Sequence, residues 1–278
     1  MPERRQRREA PGIRQGKPKW AIARDRARRA GIPAETVWLF GLHAVRDALA
    51  NPRRRCHRLV LTPNAAARLA PDIAARGIEP EISDPRRFAA PLDPQSVHQG
   101  AALEAEPLDW GGVAETCTPR AAAPAPLAVL LDRVTDPHNV GAVLRSAEVF
   151  GACAVIAPRH HSAPETGALA KAASGALERQ PYLRVRNLGD AMEELGALGY
   201  LLVGLDGEAE TEIGAALAGT AGQPLGLVLG SEGAGLRERS RALCTRMVRI
   251  GPGGGFASLN VSNAAAVALY AATRRGGA

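Results

Sequence analysis

Aromatic residues make up only 4% of the 278 positions, and there are just four cysteines, at 56, 117, 153 and 244. Four cysteines this dispersed lack the Cys-x-x-Cys spacing of a zinc or dithiol site and read as free structural thiols. Long apolar runs are missing too. No stretch approaches the roughly 20 residues that cross a bilayer, and the arginine-rich start has no apolar segment of the secretory type, so the expected location is the cytoplasm. Neither glycine cluster is followed by Gly-Lys-Ser or Gly-Lys-Thr, which excludes a Walker-type phosphate loop. No internal repeat is present. What remains is 46% hydrophobic composition in a chain long enough for one large or two medium domains.

Charge is distributed unevenly. The formal net charge is +7, yet residues 1–30 alone hold 11 Lys or Arg against 3 acidic residues, leaving about −1 for the rest. Arg4, Arg5, Arg7, Arg8, Arg14, Lys17, Lys19, Arg24, Arg26, Arg28 and Arg29 are mixed with Pro, Gly and Gln. Such a segment has too little apolar surface to fold alone, so residues 1–35 read as a basic, disordered tail. A flexible arm that gathers RNA phosphates fits this composition, and its affinity would fall as salt rises. A solubilising tail or an Arg-rich transit peptide fits it as well.

Beyond the tail, Val37–Val45 leads into a helical pattern to about Ala50 and an extended segment at His57–Leu61. Helical and extended stretches then alternate to His98-Gln99-Gly100, predicting a small α/β domain over residues 36–110. Three prolines between 116 and 126 mark a semi-stiff linker, assigned here to 111–126. From 127 to 278 apolar runs alternate with helical stretches. Strands are expected near 127–132, 153–157, 200–204, 225–229 and 246–250, and helices near 139–150 and 261–274. This rhythm predicts a parallel sheet covered by helices on both faces.

The most informative residues lie near the end. Pro252-Gly253-Gly254-Gly255-Phe256 leads through Ser258-Leu259-Asn260-Val261-Ser262 into an apolar run. Local physics reads a loop with free backbone N–H groups feeding a helix, capped by Asn260 or Ser262. A second cluster, Leu229-Gly230-Ser231-Glu232-Gly233-Ala234-Gly235-Leu236, follows an apolar strand. A third block, Leu131 through Ala147, contains Asp136-Pro137-His138-Asn139 and Arg145. Asn139 and Arg145 are six apart on one helix, nearly two turns, and are expected to share a face. His138 beside Asn139 suits the first turn of a helix as well as a general base and is left out of the catalytic set. His160-His161 lacks ligand partners at metal spacing and is expected to lie in an exposed loop.

In order and spacing, these three blocks resemble the motifs of the SPOUT superfamily of RNA methyltransferases, in its TrmH group. The resemblance covers most of the chain beyond residue 36. It implies a C-terminal domain with a deep trefoil knot, involving Gly230–Leu236 and Ile250–Asn260. An L30e-like substrate-binding domain precedes it, its start resembled by Gly41-Leu42-His43-Ala44-Val45 and its end by His98-Gln99-Gly100. The implied cofactor is S-adenosyl-L-methionine, held by Leu229, Gly230, Ile250, Ser258 and Leu259, where glycine lets backbone approach the ligand. The implied catalytic set is Asn139, Arg145, Glu232, Ser258 and Asn260. Arg145 would clamp the phosphate beside the target ribose and stabilise a developing alkoxide, since guanidinium hardly deprotonates. Glu232 would orient Arg145 or the loop, while Asn139 and Asn260 hold main chain or substrate. No metal is needed, because the sulfonium supplies the electrophile. Relatives often carry proline directly after the isoleucine, whereas this chain reads Ile250-Gly251-Pro252. The resemblance implies ribose 2′-O-methylation of RNA by a homodimer, on a guanosine of 23S rRNA because the group's tRNA guanosine enzymes generally lack the first domain. A tRNA substrate and a non-catalytic ribosome-assembly factor are the alternatives.

Overall fold

A computed structural model describes residues 36–93, 96–121, 123–251 and 259–275. The basic tail and the whole Pro252–Ser258 loop lie outside the described residues.

The first half builds a four-stranded sheet from β1 (Val37–Phe40), β2 (Cys56–Leu61), β3 (Pro80–Ile82) and β4 (Ala101–Ala105). Its order is β1-β4-β2-β3, with β4 antiparallel to both β1 and β2 and β2 parallel to β3. Two helices pack on it, α1 (Leu42–Ala50) and α2 (Pro63–Arg76). The second is bounded as sequence rules require: Thr62 accepts the amide of Ala65, Pro63 occupies the first turn, and Gly77 closes the helix in the left-handed region at φ 68°.

The stretch expected to be a linker opens with a helix instead. Val113–Cys117 forms α3, and Cys117 is fully buried against the second half. The apolar Val113 and Cys117 outweigh the local proline content by giving the segment one face to bury.

The second half is a seven-stranded sheet in which every pairing is parallel, as the strand rhythm predicted. Its strands are β5 (Leu127–Asp132), β6 (Ala154–Pro158), β7 (Tyr182–Val185), β8 (Leu201–Leu205), β9 (Thr211–Glu212), β10 (Leu225–Gly230) and β11 (Arg246–Arg249). The order is β7-β6-β5-β10-β8-β11-β9. β5 and β6 are buried along their whole length and apolar but for Asp132, because helices cover both faces. Those helices are α4 (Pro137–Val149), α5 (Gly167–Ala173), α6 (Leu188–Ala197), α7 (Ile213–Leu217), α8 (Glu238–Leu243) and α9 (Val261–Arg274). The short β7 and β9 went unrecognised in the sequence; two to four residues carry too little periodicity to register.

The two sheets share one apolar core. Leu39, Leu42 and Val45 of the first half belong to the same buried cluster as Leu169, Ala170 and Ala173 of α5. A buried charge cluster joins the halves as well. Arg54, in the turn after α1, has no exposed surface. Its Nε and Nη2 donate to the two carboxylate oxygens of Glu178 at 3.1 and 2.7 Å, and Nη1 donates to Glu165 Oε2 at 3.0 Å and to the Glu106 carbonyl at 2.7 Å. Asn51 Nδ2 adds a bond of 2.9 Å to Glu178. Burial alone would lower the Arg54 pKa, but the two carboxylates hold it above its ordinary value. Burial pushes the Glu165 carboxyl up, against the attraction of Arg54.

Candidate active site at the switch point of the sheet

Chain order reverses between β5 and β10. From β5 the chain runs outward through β6 and β7, then returns to build the other half of the sheet. In open parallel sheets the crevice beyond the carboxyl ends of two such strands is the usual ligand site. The segments following β5 and β10 both leave from that edge, and they carry the Leu131–Ala147 and Leu229–Leu236 blocks.

After β5, Asp136 caps α4 by accepting the amide of His138 at 3.0 Å, with Pro137 in the first turn. His138 is therefore part of a helix start, and its side chain is exposed. This geometry sets Asn139 at the mouth of the crevice. Deeper along α4, Gly141 lets the helix meet α5, since a Cβ there would come within 2.5 Å of Ala172 Cβ and 2.8 Å of the Ala173 nitrogen.

After β10 the chain turns sharply. Gly235 donates to the Ser231 carbonyl at 2.9 Å, and the two residues form an isolated bridge. Gly230 has to be glycine: a Cβ would fall 2.1 Å from the Gly235 carbonyl carbon and 2.4 Å from the Leu236 nitrogen. The near atoms there are all backbone of the same turn, with no flexible side chain that could yield. The far end of the turn is fixed by Asp132, whose side chain is fully buried: Oδ1 accepts from Arg237 Nε at 2.7 Å and Oδ2 from the Arg237 amide at 3.0 Å. Sequence reasoning did not single out Asp132 or Arg237. The available signal was a lone acid ending the apolar run Leu127–Leu131.

Before the last helix, Asn260 is the N-cap of α9, its Oδ1 accepting the amide of Ser262 at 2.9 Å and the Ser262 hydroxyl at 2.5 Å. Its Nδ2 remains free to point the other way. It donates to Asn139 Oδ1 at 2.9 Å and to Glu232 Oε1 at 2.6 Å, while Asn139 Nδ2 donates to the same Glu232 oxygen at 3.2 Å. Three residues from three separate blocks thus close one hydrogen-bonded triangle. Glu232 is the common acceptor, and it has no hydrogen bond or ion pair with Arg145 among the described residues.

Arg145 is not in the triangle. Six residues at 100° each fall about 120° short of two full turns, so Arg145 and Asn139 do not share a face as expected. Arg145 is exposed, with no hydrogen bond or ion pair among the described residues. Of the residues expected to hold cofactor, Leu229 is buried at the end of β10, Gly230 and Ile250 are half-buried, and Leu259 is exposed just before α9. They stand on β10, after β11 and before α9, on loops that leave the carboxyl edge of the sheet or run back from it.

The SpoU rRNA Methylase family matches residues 126–270, and the RNA 2′-O ribose methyltransferase substrate binding family matches 38–110. The 23S rRNA (guanosine-2′-O-)-methyltransferase RlmB of Pseudomonas putida is 36% identical over 242 residues, spanning 85% of this chain and 96% of that protein. The crystal structure of the SpoU methyltransferase AviRb from Streptomyces viridochromogenes in complex with AdoMet superposes with a TM-score of 0.70 at 26% identity, covering 91% of this chain and 93% of that one. An AdoMet-bound rRNA methyltransferase from Sinorhizobium meliloti shares the fold at a TM-score of 0.71 and 22% identity, over 93% of both chains. With half of its length matched by the family and a relative this similar over most of its sequence, the chain belongs to the SpoU rRNA Methylase family.

Proposed function

We propose that this chain transfers the methyl group of S-adenosylmethionine to the ribose 2′-hydroxyl of a guanosine in 23S rRNA. The observation that carries the reading is the Asn139–Glu232–Asn260 triangle at the switch point, joined to a full-length likeness to the RlmB methyltransferase of Pseudomonas putida. When bound, the cofactor supplies an electrophilic methyl on a positively charged sulfur. The protein's part is then to align an RNA hydroxyl, and positioning of this kind supplies several kcal/mol of a barrier, about 7–11 at most.

In this reading Leu229, Gly230, Ile250, Ser258 and Leu259 hold the cofactor. Asn139, Glu232 and Asn260 fix the two loops against each other, and Ser258 completes the set from the adjoining loop. Arg145, exposed and unpaired among the described residues, binds the phosphate next to the target ribose and stabilises negative charge as the hydroxyl loses its proton. Membership of the family supports a trefoil knot through Gly230–Leu236 and Ile250–Asn260.

Residues 36–110 act as an L30e-like substrate-binding domain, 111–126 join it to the methyltransferase domain at 127–278, and the basic tail 1–35 attracts RNA. A homodimer is supported by an exposed apolar patch. Val149 is 78% exposed, Tyr270 53% and Val267 41%, and the Phe150 and Tyr270 rings meet edge to face at 6.4 Å between helices α4 and α9. Activity in the cytoplasm follows from the rRNA substrate; no helix among the described residues is long and apolar enough to cross a membrane.

The test is methyl transfer from labelled S-adenosylmethionine to unmodified 23S rRNA and to bulk tRNA, followed by mapping of 2′-O-methyl sites. Label at one 23S guanosine is the expected result. Label in tRNA would move the target, and label in neither would leave a binding factor.

A further inference from the structure

Three neighbouring strands of the large sheet end one residue before an arginine. β5 ends at Asp132 and is followed by Arg133, β6 ends at Pro158 and is followed by Arg159, and β7 ends at Val185 and is followed by Arg186. The pairing register puts them side by side. Pro158 lies opposite Val185 and the Arg159 amide donates to the Val185 carbonyl at 2.6 Å, so Arg159 and Arg186 stand side by side; Leu130 lies opposite Ile156, three residues before Arg133, which turns out of β5 with φ 63° at the same edge. Strands are spaced by about 5 Å, so the row is roughly 10 Å long at the backbone.

All three side chains are exposed, and none forms an ion pair among the described residues. The exposed His160-His161 loop leaves the same edge. Arg184, one residue inside the end of β7, leans into the row and donates from Nη2 to the Arg159 carbonyl at 2.6 Å. Its Nε is buried without any hydrogen-bond partner. The acids nearest in sequence are already engaged: Asp132 by Arg237, Asp136 by the α4 amide of His138, and Glu165 by Arg54.

The opposite end of this carboxyl edge is mixed in sign. Beyond β8 come Asp206, Glu208, Glu210 and Glu212, of which Glu208 and Glu210 are exposed. Cations stand among them: Arg241 pairs with Asp206, and Arg249, which ends β11, donates to the Glu210 carbonyl, so it is over β5–β7 that arginines without an acidic partner gather.

We propose that the row Arg133–Arg159–Arg186, with Arg184 behind it, is the track for the phosphate backbone of the RNA substrate on the methyltransferase half of the chain. This rests on the RNA-methylation reading and adds a direction to it: the strand leaves the site over β6 and β7. A polyanion with regularly spaced charges fits a row of cations on adjacent strands, and arginine forks bind phosphate in pairs of hydrogen bonds.

The experiment uses the full chain carrying Arg159→Ala with Arg186→Ala, beside the same pair changed to lysine. Both positions are exposed, and thermal melts verify that the variants fold. RNA binding is read directly by fluorescence anisotropy across a salt series, separately from methyl transfer. The alanine pair should weaken RNA binding by about tenfold or more, a charge-assisted hydrogen bond contributing about 1.5–3 kcal/mol. Two lost phosphate contacts should also lower the slope of log affinity against log salt by about 1.4. S-adenosylmethionine affinity should stay unchanged, and the lysine pair should restore the slope. Unchanged RNA affinity and slope in the alanine pair, with methyl transfer intact, would overturn the track. So would equal losses in the alanine and lysine pairs, since charge would then not be the cause. Loss of polyglutamate binding with RNA binding unaffected would assign the row to an acidic protein instead, against the proposal. Failure of the wild type to methylate any RNA would refute the activity, while the anisotropy series would still decide the track.

Discussion

Replacing Arg54 with methionine removes the cation that hydrogen-bonds Glu165, Glu178 and the Glu106 carbonyl in the buried cluster joining the two sheets. The side chain has no exposed surface and both carboxylates are buried, so neither acid can turn to water. Breaking such a cluster from one side costs about 3–5 kcal/mol, most of it the penalty of leaving charge uncompensated. For a unit of this size that corresponds to a fall in Tm of roughly 6–20 °C. Combining Arg54→Met with Glu165→Gln and Glu178→Gln should recover at least half of the loss, because amide oxygens still accept from Leu108 and Asn51 while no charge stays buried. The pH dependence has a definite sign. The Glu165 carboxyl sits above its ordinary pKa through burial, so the folded state binds its proton more readily than the unfolded chain. Its favourable contribution is present below the unfolded pKa and is lost as pH rises through the folded one. The deficit of the single variant should therefore shrink at pH 5 and widen at pH 8. Denaturant titrations followed by both tryptophan fluorescence and far-ultraviolet circular dichroism would measure it. Among the described residues the tryptophans, Trp38 and Trp110, lie in the first half, so coincident curves would also show that the halves unfold together. A loss under about 1 kcal/mol would refute the reasoning, placing the cluster with solvent-exposed ion pairs.

Three further outcomes test the site. Arg145→Ala should lower kcat by about a hundredfold to a thousandfold, the cost of removing one oxyanion-stabilising donor, with cofactor affinity preserved by isothermal titration. Glu232→Ala should reduce kcat/KM for RNA by about tenfold or more by freeing Asn139 and Asn260 together; Glu232→Gln keeps the shared acceptor and should recover most of it. Gly230→Ala forces a Cβ to within 2.1 Å of backbone and should destabilise the fold by about 3 kcal/mol or more. The rise in melting temperature that saturating S-adenosylmethionine gives the wild type should be absent in that variant.

Much of this molecule is local and therefore legible in the chain itself. The buried runs Leu127–Leu131 and Leu225–Leu229 announce parallel central strands, and Asn260 ahead of Val261–Arg274 announces a capped helix, because each signal is carried by residues adjacent in sequence. Asn139, Glu232 and Asn260 were named through the family resemblance of their motifs. Their triangle was not, since residues 93 and 121 positions apart meet only where the strand order reverses. The same limit hid the partnership of Asp132 with Arg237 and the distribution of charge along the carboxyl edge. Arg54 was the least visible of all: within Arg53-Arg54-Arg55 it is one of three like residues, and only packing decided that the middle one turns inward to two carboxylates more than 100 residues away. Composition and periodicity determined which segments become strands and helices. Which side chains share a dielectric, a hydrogen bond or a face was decided by the order of strands in the sheet, which no local pattern encodes.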